Sequence, residues 1–258
     1  MRKFFKGAYL SLLLAFLYAP IAVMILLSFN ASKSRAKWGG FSFRWYQKLF
    51  ERPDIMEALW LTLQVALIAT AVATVLGTLA AIGIDAMRKR PASLMLNLSR
   101  LPMTTPDIVT GVSLMLMFVF VRMPMGYGTM LMAHIAFDVP YVLFSVLPKL
   151  KQLGVDMYEA ALDLGCTPIQ GVTRVIVPQI MPGVVTGALM AFTMSLDDFV
   201  ISYFTAGSTA KNLSIVIYSA AKRGIEPSIY ALSALMFVSV LALLLIVNKR
   251  SSLENVAG

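Results

Sequence analysis

The sequence predicts an all-α integral membrane protein with six transmembrane helices. Of its 258 residues 59% are hydrophobic and only 14% charged, where a soluble domain of this length carries about a quarter charged residues. Mean hydropathy is +0.78. Six apolar stretches, 7–29, 58–84, 94–121, 125–147, 179–206 and 228–247, are long enough to cross the membrane, which needs about 20 helical residues for about 30 Å of hydrocarbon. The links between them are short, so residues 1–258 read as one transmembrane domain with no room for a second large one.

The first stretch follows Arg2, Lys3 and Lys6 and so imitates a secretory signal. Its 23 uncharged positions, 7–29, exceed a signal core and no small-residue cleavage site follows. It reads as a retained first span. The loop after it is basic and aromatic: Lys37, Trp38, Phe41, Phe43, Arg44, Trp45, Tyr46, Lys48 and Phe50. Such interleaving binds single-stranded nucleic acid in soluble proteins. Beside a span, an aromatic belt or interfacial helix is the better reading. The second span is uncharged and ends at Arg88-Lys89-Arg90-Pro91, and the third contains Pro102 and Pro106. The fourth follows the link from Met123 to Gly128. The fifth carries Gly183 and Gly187, four apart. Small residues at that spacing let helices approach closely in lipid, either within the chain or at a subunit interface. A link from Gly207 to Pro227 precedes the last span.

Net charge is +9, which in a soluble protein would suggest nucleic acid. Here the basic residues lie at the ends of apolar stretches and face lipid headgroups instead. Both termini inside would place twelve basic residues in cytoplasmic segments and ten outside. The short N-terminal flank and the compact Arg88–Arg90 cluster favour that orientation. The single cysteine, Cys166, excludes an intrachain disulfide and a Cys-rich metal site, and with one histidine nothing supports a catalytic zinc. No GxxxxGK[ST] phosphate loop occurs, so the chain is expected to bind no cofactor and to hydrolyse no ATP.

Residues 149–178 form a polar island between the fourth and fifth spans. Asp156 followed by Glu159 reads as a capping box, MYEAALDL favours helix, and Gly165 suits a left-handed stop. Thr167, Pro168 and Gln170 repeat the start signal with a hydroxyl cap, a proline at the first position and an amide at the third. Two short helices joined by a glycine turn are expected. An ordered hairpin outside the bilayer is most simply a docking surface.

Four acids lie within apolar spans: Asp107, Asp138, Asp197 and Asp198. A carboxylate at the bilayer centre costs roughly 2.5–3.5 kcal/mol even on a lenient scale, so each should face protein or water. Asp107 follows two prolines that free backbone carbonyls, and irregular backbone at depth belongs where it lines a cavity. Adjacent Asp197 and Asp198 diverge by about 100° on a helix, so only one can point squarely into a path. Acidic rings favour cations. The alternative for each acid is a structural acceptor, and His134, one turn from Asp138, is expected to pair with it.

The 149–178 loop resembles the EAA loop of the permease subunits of bacterial binding-protein-dependent ABC importers (the MetI-like family). Glu159, Ala160, Ala161, Gly165 and Pro178 fall at that motif's spacing, with Val175 and Val177 as mild departures from Ile and Leu. YAPIAVMILLSFNASK at 18–33, the Phe43–Tyr46 stretch, TPDIVTGVSL at 105–114, FTMSLDDFVIS at 192–202 and the Glu226–Pro227 turn resemble the spermidine/putrescine permeases of that family, of the PotC type. The resemblance implies a type I importer fold with a coupling-helix hairpin in the bacterial inner membrane. It implies a homologous second permease, two copies of a cytoplasmic ATPase carrying ATP and Mg, and an extracytoplasmic binding protein. It also implies a polyamine substrate, an extended polycation that needs carboxylates and an aromatic or Met surface. Asp107 with Asp197 or Asp198 then become path residues, with Tyr203, Trp45 and Met194 as secondary contacts.

Other readings stay in competition. An importer of the same family carrying another small solute shares the loop. A gradient-driven secondary transporter would use the same acids as ion sites, but no inverted repeat is visible. An intramembrane aspartyl enzyme needs a dyad, and adjacent Asp197 and Asp198 cannot face one substrate.

Overall fold

The fold is described from a computed structural model. It describes the backbone of residues 2–254 except 154 and 225, and side chains except those of 2–6, 8, 155, 156, 223 and 243–254. Asp156, the expected first cap, therefore lies outside the described side chains. The chain divides into two compact units, residues 1–57 with 216–258, and residues 58–215.

The first unit contains α1 (Arg2–Ser28), α2 (Arg44–Phe50) and the whole of α12 (Pro227–Glu254), with α12 packed against both others. Asn30 organises the intervening loop. Its amide donates to Ser34 O (3.2 Å) and Lys37 O (2.9 Å), while its side-chain oxygen accepts from Ser32 N (3.1 Å) and Gly39 N (2.8 Å). One side chain thus satisfies four peptide groups that no helix serves. Phe29, Phe41, Phe43 and Tyr46 form an aromatic cluster in the same region, Phe29 stacked on Phe41 and the other pairs edge-on or tilted, with ring centroids 5.0–6.0 Å apart. Arg52 holds Asp54 (2.6 Å) and Glu226 (2.7 Å), and the hydrogen bond to Asp54 raises its guanidinium further above the usual range.

The second unit holds the body of α3 (Pro53–Asp85), then α4 (Lys89–Thr104), α5 (Asp107–Phe120), α6 (Tyr127–Gln152), α7 (Val155–Asp163), α8 (Pro168–Gln170), α9 (Val177–Asp197) and α10 (Val200–Thr205). It ends in the first residues of α11 (Leu213–Arg223). α6 is its axis, burying Met130, Ala133, Phe137, Val142, Leu143, Val146 and Leu150. Lipid tails are as apolar as Leu, so helices here associate by close packing rather than by escape from water. The contacts show this: a Cβ on Gly77 of α3 would sit 2.6 Å from the Val142 side chain. On Gly187 of α9 it would sit 2.9 Å from Val142 Cα, and on Gly183 2.9 Å from Ser145 O. The Gly183/Gly187 pair is therefore used within the chain, against α6.

Three expectations about the spans need correction. The predicted third span, 94–121, is not one rod: α4 and α5 meet at 108°. Thr105 precedes Pro106 and takes extended backbone (φ −83, ψ 145), as steric conflict with the proline ring requires. The predicted fifth span, 179–206, breaks where Asp198 turns extended (ψ 127) between α9 and α10. The link from Gly207 to Pro227 contains a helix, α11, which the polar start at 207–212 and Pro227 obscured. Among the described residues, Tyr9–Ser28, Pro53–Asp85, Tyr127–Gln152 and Pro168–Asp197 are long and apolar enough to cross a membrane alone. Counting α4 with α5 as one broken span makes five.

Candidate translocation path and coupling hairpin

The helices that follow the two breaks in the second unit, α5 and α10, pack together. Gly111, one turn along α5 from Asp107, meets α10 so closely that a Cβ would lie 3.1 Å from Phe204 and 3.4 Å from Val200 O. Asp107 opens α5, where peptide N–H groups and the helix dipole favour a carboxylate. It is exposed, as is Asp197 at the end of α9. Among the described residues neither carboxylate is hydrogen-bonded or ion-paired. Met194 and Tyr203 are exposed, Tyr203 at 50%. Tyr203 meets Phe199 at a tilt (5.4 Å) and Phe204 edge to face (5.5 Å).

Asp198 has another role. Its oxygens accept from Ile201 N (3.1 Å) and Ser202 N (2.7 Å), satisfying the first turn of α10. Oδ2 also lies 3.5 Å from His134 Nε2. His134, 2% exposed, reaches Ser195 Oγ (2.7 Å) through Nδ1 and Ser202 Oγ (2.9 Å) through Nε2. Asn212 donates to Ser202 Oγ (2.7 Å) and accepts from Ile215 N (3.0 Å). Thr62 accepts from Leu213 N (2.8 Å). This buried network ties α3, α6, α9, α10 and α11 together around the break.

The expected His134–Asp138 pair is absent: Asp138 is fully buried and neither of its oxygens has a hydrogen-bond partner. Helical spacing put the two within reach, but the hydroxyls of Ser195 and Ser202 occupy both ring nitrogens of His134. Ser195, Ser202 and Asn212 were not singled out from sequence. Isolated Ser and Asn residues in apolar runs carry no local pattern, and their convergence depends on the break at Asp198. Trp45 belongs to the first unit, where it is buried with its indole N–H donating to Asn30 O (2.5 Å). Arg44 and Lys48 flank its ring, both at 5.5 Å. That makes Trp45 a packed anchor of the loop.

The glycine stop and the second cap of the hairpin form as expected. Gly165 has φ +90, Cys166 N donates to Ala161 O (3.1 Å) and Gly165 N to Leu162 O (2.9 Å). That is the paired closure of a Schellman stop. Thr167 and Gln170 cap each other reciprocally: Thr167 N donates to Gln170 Oε1 (3.0 Å) and Gln170 N to Thr167 Oγ1 (3.4 Å). The second helix does not stop there, as expected of a short one. It runs through a π-helical turn, Gly171–Ile176, into α9. Tyr158 of α7 packs on Gly171, where a Cβ would lie 2.8 Å from its ring. Glu159 and Ala160 are exposed and Ala161 is buried. Leu164 and Ile169 stand 87% and 76% exposed at the tip.

This fold is that of the membrane subunits of ABC importers. It matches a bacterial ABC transporter involved in the import of the acidic polysaccharide alginate, with a TM-score of 0.72 at 17% identity, covering 97% of this chain and 96% of that one. It matches the MetNI methionine ABC transporter with a TM-score of 0.60 at 19% identity, covering 77% and 93%. Residues 73–249 match the family described as binding-protein-dependent transport system inner membrane component. The chain is 35% identical over 245 residues to the spermidine/putrescine transport system permease protein PotC of Haemophilus influenzae, covering 95% of each. It is 33% identical over 243 residues to PotC of Escherichia coli K12, covering 94% of this chain and 92% of that protein. It is 37% identical over 232 residues to the putrescine transport system permease protein PotI of the same strain, covering 87% and 83%.

The chain belongs to the binding-protein-dependent transport system inner membrane component family. It is a multi-pass inner-membrane permease subunit of the ABC-importer class, not an enzyme.

Proposed function

We propose that this chain is the transmembrane permease subunit of an ATP-driven importer for polyamines, spermidine or putrescine. The observation that carries the reading is the pair of exposed, unpartnered carboxylates, Asp107 and Asp197, at two helix breaks whose helices α5 and α10 pack together. The names of the relatives at 33–37% identity point to the same substrate class. A polyamine presents ammonium groups separated by three or four methylenes. Asp107 and Asp197 offer the charges those groups need, Tyr203 a π face, and Met194 an apolar surface for the methylenes. Asp198 holds the break that presents Asp197, and Trp45 anchors the outer loop.

In this reading residues 1–258 form one six-span domain with both termini in the cytoplasm. It pairs with a homologous second permease, two copies of a cytoplasmic ATPase that hold ATP and Mg, and an extracytoplasmic binding protein. The α7–α8 hairpin, with Glu159, Ala160, Ala161 and Gly165 and closed by Pro178, docks on the ATPase. Its closure would pull the hairpin and switch the path between its two openings. The π-helical turn joining α8 to α9 supports this, because it links the hairpin directly to the helix that ends at Asp197.

Labelled spermidine uptake tests the proposal, in cells expressing the chain with its partner subunits and lacking other polyamine importers. Uptake should survive a protonophore and stop on ATP depletion. Assembled complex without spermidine or putrescine uptake would remove the substrate. Uptake that follows the proton gradient would remove the coupling mechanism.

A further inference from the structure

α4 has two unlike faces. Lys89, Ser93, Asn97 and Arg100 recur at helical spacing on one side and, with Lys151 from the last turn of α6, line a cavity of about 340 Å³. Leu94, Leu98 and Leu101 form an exposed apolar stripe on the adjoining side, about 100° round the helix. Arg100 is held in place, its guanidinium 5.3 Å from the centre of the Phe144 ring of α6. No carboxylate lines the cavity, and among the described residues none of its three cations is ion-paired. Three gathered, unneutralised cations with hydroxyl and amide donors make an anion site, and a phosphodiester accepts from such donors.

We propose that this cavity between α4 and α6 binds the head group of an anionic phospholipid. The apolar stripe on α4 keeps the helix at the bilayer surface, so the cavity opens at head-group level. Basic pockets between membrane helices are where such head groups bind. A free phosphate shares the chemistry of the head group but draws nothing from the apolar stripe. The site stands beside the start of α7, so an occupied head group would brace the root of the coupling hairpin.

The test is native mass spectrometry of the full chain in mild detergent, titrated with phosphatidylglycerol or phosphatidylcholine. Phosphatidylglycerol should be retained in clear preference. The triple variant Lys89→Gln/Arg100→Gln/Lys151→Gln should lose that preference, with about a fivefold weakening per charge removed. Lys33→Gln/Lys37→Gln, in the outer loop, should leave it unchanged. Equal retention of the two lipids, or an unchanged triple variant, overturns the proposal. So does displacement of the lipid by millimolar inorganic phosphate, which would make this a free-phosphate site. A triple variant that keeps phosphatidylglycerol but no longer co-purifies with the ATPase would assign the cavity to the partner protein instead. Photo-crosslinking of diazirine-labelled phosphatidylglycerol to the unmodified chain needs no variant. Its adducts should map to peptides of α4 and the end of α6, and adducts confined elsewhere contradict the site.

Discussion

The imidazole Nε2 of His134 lies 2.9 Å from the hydroxyl of Ser202, joining the first third of α6 to α10 just beyond the break in the fifth span. Nδ1 makes the matching contact to Ser195 on α9, so one ring fastens both sides of the break. His134→Ala removes these contacts and leaves a cavity and two buried hydroxyls without that partner. A loss of about 2–5 kcal/mol is expected, read as a fall of about 4 °C or more in the melting temperature of the purified chain. A melting temperature within one degree of the parent would show that the network does not hold the break.

Neighbouring aspartates should behave differently. Asp198→Ala removes acceptors from two peptide N–H groups of α10 and should cost about 1–2 kcal/mol of stability. Asp197→Asn touches no internal partner, so its melting curve should match the parent while spermidine uptake falls. The reverse pattern would exchange their roles.

Gly165 carries φ +90 at the Schellman stop. A Leu there should cost roughly 1–2 kcal/mol locally and misplace the tip of the hairpin. Uptake should fall to background while membrane insertion, followed by protease protection, stays normal. Full transport by Gly165→Leu would sink the coupling role of the hairpin.

Asp138 is buried without a hydrogen-bond partner, an arrangement that costs stability whichever protonation state it takes. Asp138→Val replaces it with an apolar side chain of similar size and should stabilise the chain by about 1–3 kcal/mol. A lower melting temperature would mean that the carboxylate has a stabilising role in the intact membrane.

What could be read from sequence was what depends on a few adjacent residues. The Gly165 stop and the Thr167–Gln170 cap are local, so their chemistry survives any tertiary context. Pro102 and Pro106 announced irregular backbone near Asp107, but not that α4 would leave α5 at 108°. Hydropathy alone runs across such a break without a change in signal. The error over His134 had a similar origin. Spacing along α6 made Asp138 its nearest polar neighbour, whereas Ser195 and Ser202 arrive from elements distant in the chain. Trp45 read as part of an outer aromatic surface because an alternating basic and aromatic loop gives no sign of which ring turns inward.

The central claim is that Asp107 and Asp197 carry a polycation, and the kinetics of labelled spermidine uptake in the assembled importer test it most directly. Asp107→Asn and Asp197→Asn should each raise the substrate concentration for half-maximal uptake, or lower the maximal rate, by about tenfold or more, with the complex present at parental levels. Two removed charges, each worth about 1.5–3 kcal/mol in a charge-assisted contact, set that scale. Parental uptake kinetics in both variants would contradict the account.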